Sequence, residues 1–323
     1  RILAENDELP LNLLAVLASE ANVNNNAALL NSYIPYINPG SLITKRRSLS
    51  IDEAYAYTQA VLYKERVSAD GGVLPDDLYL YNYYKLLSSL DINPTHAYSS
   101  YGGYSTETVS GITYITKWYD LNNSAPADAI PTTNSFRPIL SEEHLYFNGT
   151  STNLSIDDLD VLSAVNTGSI YTVHKDTAYT TGDVLHPIVI ARPSIESGYR
   201  LGLLSETTGG GSLNGSAKNS DAKSLSTVQT SNSSNYVSAA VTADYLGDFL
   251  ALYKNAALED ITDLNGGVAT SNTASASVMI GANTSNTSRF NGFIPEVILT
   301  AELLDITQIS GLHEFHKQYY SLI

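Results

Sequence analysis

The sequence predicts a mainly β protein: an antiparallel β-sandwich preceded by a small α-helical region and closed by a C-terminal helix. Up to about residue 100, apolar residues recur at helical spacing. From about Tyr98 the period becomes two, and short apolar runs are separated by Gly, Asn and Ser turns, which is typical of sandwiches and barrels. No strand–helix–strand alternation follows, so we do not expect a parallel sheet.

The change of period divides the chain of 323 residues into two predicted domains. Residues 1–100 form a helical docking or adaptor region, and residues 101–323 form the sandwich, with its closing helix at 300–320. This length falls within the range for two or three domains. We expect the closing helix, with Thr300 as its N-cap, to pack on the edge or outer face of the sandwich.

Two helices of the N-terminal region carry signals at their ends. The helix at residues 51–67 follows Ser50, which makes a capping box with Glu53. The helix at residues 75–90 begins with a proline and acidic residues, as helix N-termini commonly do. The buried side predicted for this second helix consists of Leu78, Tyr81, Leu86 and Leu90.

The sandwich is predicted from a series of short strand-like runs. They cover residues 109–118, 145–147, 169–175, 188–192, 199–204, 235–242, 249–254, 277–280 and 292–299. Residues 207–235 are rich in Gly, Ser and Asn, so we expect long surface loops there, with one weak strand near 222–228.

The composition limits the classes of partner. The formal net charge is −16, from 33 acidic and 17 basic residues. Because phosphate binding needs a basic surface, we expect neither nucleic acid nor an anionic membrane as a partner. No stretch of about 18 apolar residues is present that would span a membrane. The chain has no Cys, which excludes disulfides and thiolate chemistry.

Several motifs in a shared order resemble one family. Residues 117–124 read KWYDLNNS and are followed by ADA at 127–129, FRPI at 136–139 and FNG at 147–149. Further on come LYKNA at 252–256 and FNGFIPEVI at 290–298. This order resembles the concanavalin A-like lectin/glucanase (LamG-like jelly-roll) domains of bacteriophage virion structural proteins. The chain departs from the family pattern at residues 120–124, which lack its glycine, and at Ala256, where the family has Gly.

The resemblance implies a jelly-roll sandwich and a non-enzymatic virion structural protein, such as a head-fibre, decoration or tail-fibre subunit. Its partners would be other virion proteins, sister subunits in a homo-oligomer and host-surface glycans, and it would be located in the virion. The alternative interpretation is a carbohydrate-binding module of a bacterial secreted or cell-surface protein.

Enzymatic activity is not expected, and no catalytic residue is predicted. Retaining glucanases of this fold need paired carboxylates on one strand, in an E-x-D-x-x-E pattern. The sequence has no such segment. Its densest acidic cluster, Asp157, Asp158 and Asp160, lies in a turn-like stretch where acids usually cap or are solvated.

Candidate carbohydrate-binding residues are aromatic. Tyr98, Tyr101 and Tyr104 form a cluster that would either bind glycan or join the helical and β regions. Trp118 would be either a sugar platform or a core residue, and its apolar strand favours the core.

The loop after Trp118 supplies oxygen ligands that suit Ca²⁺, from Asp120, Asn122 and Asp128. The other interpretation, which we favour, is an Asx-turn network that shapes the loop. No other cofactor is expected. Lys45, Arg46 and Arg47 form a basic cluster that would either dock onto an acidic patch of a neighbouring subunit or be solvated.

Overall fold

The computed structural model describes residues 50–142, 144–177, 185–193, 200–206, 211–218, 226–231, 234–264, 270–271, 276–283 and 288–322. The chain forms two compact units, Arg1–Asp91 and Ile92–Ile323. The second unit starts ahead of the predicted boundary at residue 101, because residues 96–99 are already a strand. The predicted docking cluster Lys45, Arg46 and Arg47 lies outside the described residues.

The first unit contains two helices, α1 (Ile51–Ala69) and α2 (Asp77–Ser89). The predicted capping box of α1 is confirmed: the Glu53 backbone N–H donates to Ser50 Oγ at 3.2 Å, and the Ser50 N–H donates to the Glu53 carboxylate at 3.0 Å. The other Glu53 oxygen accepts from Lys85 Nζ at 3.0 Å, which links the start of α1 to α2.

The predicted buried side of α2 was wrong. The buried residues are Tyr79, Leu80, Tyr83, Tyr84 and Leu87, and Leu78 is 66% exposed. The helix starts one residue after Asp76, whose side chain caps it by accepting from the Tyr79 N–H at 2.7 Å. Tyrosines form the buried stripe because their rings bury more apolar area than the leucines of the neighbouring stripe, and Tyr79 stacks on Tyr83 with 5.8 Å between centroids.

The second unit is built from strands, and its mainly β class is confirmed. The strands are β1 (His96–Ser99), β2 (Tyr104–Val109), β3 (Ile112–Trp118), β4 (Ala129–Ile130), β5 (Ile139–Ser141), β6 (His144–Asn148), β7 (Leu154–Ile156), β8 (Thr167–Asp176), β9 (Leu185–Pro193), β10 (Leu201–Glu206), β11 (Ser212–Ala217), β12 (Ser226–Ser231), β13 (Val237–Asp244), β14 (Phe249–Lys254), β15 (Ala257–Asp263), β16 (Ala276–Ile280) and β17 (Asn291–Thr300). A 3-10 helix spans Asn134–Phe136, and helix α3 spans Ile306–Lys317.

Two layers of antiparallel strands face each other. One layer has the order β15-β14-β13-β8-β17, with β1 and β6 both pairing along the far edge of β17. The other has the order β7-β16-β9-β10-β11-β12. Strands β3, β4 and β5 connect the two layers at one side. This arrangement is an antiparallel β-sandwich.

The core lies between the layers. It includes Trp118, Phe147, Ile170, Leu203 and Val241, all fully buried. The layers approach closely at Gly215, where an added Cβ would lie 2.7 Å from Val241 Cγ2 on the facing strand.

Helix α3 lies on the outer face of the β8 layer. Ile170 faces the core, so its neighbour Tyr171 faces outward. Tyr171 stacks on His316 of α3 with 5.4 Å between ring centroids, and its hydroxyl lies 3.0 Å from His316 Nδ1. The helix also contacts β13, since His313 Nδ1 lies 2.8 Å from Ser238 Oγ.

The predicted start of the closing helix at Thr300 was wrong. Thr300 is the last residue of β17 and pairs with Ser169 of β8. Helix α3 begins after Asp305, which forms a capping box with Gln308: the Gln308 N–H donates to Asp305 Oδ1 at 2.8 Å. The ladder with β8 keeps the chain extended to residue 300, which outweighs the helical spacing of the apolar residues.

Gly292 allows the close approach of β17 to β8. An added Cβ would lie 2.1 Å from the Lys175 carbonyl oxygen, a backbone atom held by the ladder. We therefore expect Gly292→Ala to lower the free energy of unfolding by about 3 kcal/mol, measured by urea denaturation.

A matched control is Gly168→Ala on β8. Its added Cβ would meet side chains at 3.5 Å or more, which is ordinary contact. We expect a change of less than about 1 kcal/mol. Equal losses in the two variants would contradict the close-approach explanation.

Candidate functional site

The predicted tyrosine cluster is divided by the fold. Tyr98 is fully buried in β1, where its hydroxyl donates to the Ala127 carbonyl oxygen. Tyr104 is partly buried against the core between the layers. Tyr101 lies apart from both, half-buried, among other aromatic rings.

Trp118 is also a core residue. Its side chain is fully buried, its indole N–H donates to the Ser99 carbonyl oxygen at 2.8 Å, and its ring lies 5.4 Å from that of Tyr98. A sugar can stack on neither ring without opening the core. The geometry therefore corrects the assignment of Tyr98 and Trp118 as platform residues and fits the core interpretation.

Asp120 organises the loop that was a candidate calcium site. Its buried carboxylate accepts from three backbone N–H groups, those of Ala97 at 2.9 Å, Asn122 at 3.0 Å and Ala127 at 3.0 Å. The same carboxylate lies 2.6 Å from His96 Nδ1. Both oxygens are thus already engaged by the protein.

The other two candidate ligands also hold the loop. Asp128 Oδ1 accepts from the Asp120 N–H at 3.0 Å, and Asn122 Oδ1 accepts from the Ser124 N–H at 2.9 Å. This geometry fits the Asx-turn interpretation. Within the described ranges, no group of three or more His, Asp or Glu residues could hold a metal ion. Calcium binding stays a prediction.

The acidic cluster at 157–160 is held by His96 and by its own backbone. Asp158 Oδ1 accepts from the Asp160 N–H at 2.9 Å, and Asp158 Oδ2 lies 3.1 Å from His96 Nε2. The buried imidazole of His96 thus bridges two carboxylates, those of Asp120 and Asp158. Asp158 thus has structural partners, as expected for an acid in a turn.

A different set of side chains forms a row across the outer face of the β8 layer. Phe293 of β17 pairs with Tyr146 of β6 on one side and with Lys175 of β8 on the other. Tyr236 directly precedes β13, whose first residue pairs with His174, so it lies next to Lys175. The ring centroids of Tyr146 and Phe293 are 5.1 Å apart, and those of Tyr236 and Phe293 are 6.3 Å apart.

More rings extend this row. His144 lies two residues before Tyr146 on the same face of β6, 5.7 Å from Tyr236 and 6.1 Å from Tyr101. Tyr319, just after α3, lies 5.3 Å from Tyr101. We call this set the aromatic platform. It consists of Tyr101, His144, Tyr146, Lys175, Tyr236, Phe293 and Tyr319.

Buried groups support the platform from below. Tyr320 contacts Tyr101, His144 and Tyr236, with centroids 5.3 to 6.1 Å apart. Its hydroxyl donates to the buried Glu296 carboxylate at 2.6 Å, which also accepts from Ser99 Oγ. Burial, together with the Glu296 charge, raises the pKa of Tyr320, so this hydroxyl stays protonated and remains a donor.

Hydroxyl groups lie at the edges of the platform rings. Burial raises the pKa of Tyr236, and Glu142 and Tyr101 raise it further, so its hydroxyl is neutral at physiological pH and can donate or accept. The Tyr146 hydroxyl donates to Asn291 Oδ1 at 3.1 Å. Every platform residue except Phe293 is half-buried, so the rings remain partly accessible.

Of the predicted sugar-binding residues, only Tyr101 belongs to this platform. The other members come from strands far apart in sequence, and only pairing between strands brings them together. The motif FNGFIPEVI contains Phe293, but the motif does not reveal which rings lie beside it, because the partners of Phe293 depend on register.

Comparisons with known proteins give distant structural matches. No protein-family model and no curated protein sequence matches the chain. The ligand-binding domain of botulinum neurotoxin serotype D in complex with N-acetylneuraminic acid matches with TM-score 0.49 and 10% identity, covering 71% of this chain and 52% of that chain. A botulinum neurotoxin type C structure, whose cell entry is described as dependent on two ganglioside molecules, matches with TM-score 0.49 and 13% identity over 71% and 52%.

Trypanosoma rangeli sialidase matches with TM-score 0.47 and 13% identity, covering 69% of this chain and 32% of that chain. The chain thus spans about half the length of the toxin domains and a third of the sialidase. Matches with such low TM-scores and identities assign neither a family nor a function to this chain. The resemblance to bacteriophage proteins stays a prediction.

We expect His96 to make stability depend on pH. Burial lowers its pKa, but hydrogen bonds and charges from Asp120 and Asp158 outweigh burial and raise the pKa above its usual value. Between about pH 6.5 and the higher folded-state pKa, the native state binds more protons than the unfolded state. The free energy of unfolding should therefore fall as pH rises through this window.

Urea denaturation of the wild type and His96→Gln at about pH 6 and about pH 9 measures this contribution. We expect the free energy of unfolding to fall less with pH in His96→Gln than in the wild type. We expect Asp158→Asn to lie between the two. An identical pH dependence in wild type and His96→Gln would refute the role of this imidazole.

Proposed function

We propose that the protein is a non-enzymatic carbohydrate-recognition protein whose sandwich binds glycans on the aromatic platform. The observation that carries the proposal is the row of rings across four neighbouring strands, in which the half-buried Tyr146 and Tyr236 flank the buried Phe293, with Lys175 among them. Tyrosines supply rigid, amphipathic contact area at low entropic cost. Sites built on strands hold their geometry better than sites on loops.

The chemistry of the platform suits a sugar ring. Ring faces pack against the apolar C–H faces of a pyranose, while hydroxyls and an imidazole at the ring edges hydrogen-bond to its hydroxyl groups. His144 and Tyr236 lie in edge contact, 5.7 Å apart with an interplanar angle of 80°, and so present a face and an edge side by side.

Recognition is favoured over hydrolysis because of the carboxylates near the platform. A glycosidase needs two carboxyl groups on either side of the bond to be cleaved. Glu296 is fully buried and accepts from Ser99 and Tyr320 beneath the rings. Glu142 is exposed in the β5–β6 turn. Among the residues that the structure describes, neither arrangement supports a catalytic pair.

Display on a virion, with sister subunits in a homo-oligomer, is our proposal for the setting of this site. It rests on the motif order from residue 117 to residue 298. A bacterial secreted or cell-surface protein is the alternative. Labelling purified particles with an antibody to this chain separates the two, because the virion proposal fails if the particles lack the chain.

Glycan-array binding tests the platform. We expect the wild type to bind a restricted set of glycans, and Tyr236→Ala and His144→Ala each to weaken that binding about tenfold or more, since each removes a ring from the contact surface. Thermal unfolding checks that both variants remain folded.

The matched control is Tyr114→Ala. Tyr114 on β3 is also half-buried and also lies under a cation, with Arg137 5.0 Å from its ring centroid, but it is outside the platform. We expect it to bind as the wild type does. A folded wild-type protein that binds no glycan, or losses that are equal in Tyr114→Ala and Tyr236→Ala, would overturn the proposal.

A further inference from the structure

Lys175 differs from the other platform residues because its ammonium group makes cation–π contacts with two rings. Its Nζ lies 5.3 Å from the ring centroid of Tyr236 and 5.8 Å from that of Phe293. Rings attract a cation electrostatically through their negative faces. The ammonium is thereby held at a fixed place in the middle of the row rather than moving freely in solvent.

Two other cations over rings in the same unit, Lys117 and Arg137, have carboxylate partners, and Lys175 differs from them. Lys117 lies over Tyr119 with Asp128 Oδ2 at 3.9 Å. Arg137 lies over Tyr114 and pairs with Glu107. In the part of the chain that the structure describes, no carboxylate lies within ion-pair distance of Lys175. Among those residues the ammonium has ring faces but no carboxylate as a partner, so an anionic ligand would supply the opposite charge.

The charge of the whole chain makes this local cation significant. With a net charge of −16, the protein repels anions in general. An anionic ligand therefore depends on local groups that favour it, and the half-buried ammonium of Lys175 gains more from an anion than a fully solvated lysine would.

Hydrogen-bonding groups lie beside the cation. Asn291 Oδ1 accepts from Tyr146 at 3.1 Å and from Thr177 Oγ1 at 3.1 Å. Thr177 follows Lys175 by two residues, and its backbone N–H donates to the Asn291 carbonyl oxygen. These amide and hydroxyl groups sit at the Lys175 side of the platform, where they suit the hydroxyls of a sugar.

Charges on the platform are arranged asymmetrically. Glu142 lies in the turn before His144, and its charge reaches Tyr236, whose pKa it helps to raise. The negative charge of Glu142 is thus at the His144 end of the platform, and the positive charge of Lys175 lies beside Phe293. An anionic sugar group would be repelled at one end and attracted at the other, which fixes its orientation.

We propose that the aromatic platform selects acidic glycans, with the sugar carboxylate paired to the Lys175 ammonium while the sugar ring packs on the half-buried Tyr236 beside it. This inference rests on the proposed function and adds the chemical class of the ligand to it. The binding is non-covalent, so no bond is made or broken.

The test uses two pairs of probes that differ in charge: sialyllactose against lactose, and oligogalacturonate against its carboxyl-reduced form. Affinities are measured by calorimetry for the wild type, Lys175→Met and Lys175→Arg. Methionine keeps the apolar stem and removes the charge, and arginine keeps the charge.

We expect the wild type to bind the acidic member of at least one pair about tenfold more tightly than the neutral member. Lys175→Met should lose most of that preference, whereas Lys175→Arg should retain it. Raising the salt concentration from about 50 to about 500 mM should reduce the preference, because salt screens the charge pair. Lys117→Met, which removes a cation over a ring outside the platform, should leave the preference unchanged.

The outcomes separate the two proposals. Equal binding of acidic and neutral members, both weakened by Tyr236→Ala, would overturn the acidic-glycan inference and leave carbohydrate recognition standing. A preference that persists in Lys175→Met would also overturn the inference. Binding of neither pair, and of no glycan on an array, would overturn carbohydrate recognition and this inference with it.

Discussion

The pairing of β17 on both of its edges is the constraint on which the second unit depends. One edge pairs with β8 from Gly292 to Thr300, and the other pairs with β6 near its start and with β1 near its end. One strand therefore holds elements from the start, the middle and the end of the unit in register. Because the side-chain period of a strand is two, a slip of one residue would exchange the faces of the whole strand. The bulge between Phe293 and Glu296 changes the register once, at the edge of the platform.

Alternation along these strands places core residues on one face and the aromatic platform on the other. Residues such as Ile170 and Val241 face inward and fill the space between the layers, whereas Tyr171 and Lys175 face outward. Helix α3 covers the outward face near Tyr171 and ends at Lys317, so the face beyond it carries the platform. The aromatic surface is thus the part of the outer face that the helix leaves accessible, and its position follows from the length of the helix.

Local signals predicted much of the fold but little of the site. The alternation at 249–254 gave β14 with the bounds found in the structure, Phe249–Lys254. Strand β11 was missed because its core-facing positions after Leu213 are the small residues Gly215 and Ala217, so its apolar alternation is weak within a stretch rich in Gly, Ser and Asn. The platform was missed for a different reason. Its rings come from β6, β8, β17, the start of β13 and the chain after α3, and only long-range register makes them neighbours, which propensity and spacing do not encode.

The polar layer below the platform explains why its rings can act as a preformed surface. A buried carboxylate such as Glu296 is costly unless donors surround it, and Ser99 and Tyr320 supply them while His316 Nε2 lies 3.6 Å away. The two donors come from different elements, Ser99 from β1 and Tyr320 from the segment after α3. The hydrogen bond from the Tyr320 hydroxyl to Glu296 Oε1 therefore fixes Tyr320, and Tyr320 in turn fixes Tyr101, His144 and Tyr236 by ring contact. Rings held in this way lose little freedom when a ligand binds, so more of the contact energy remains as affinity.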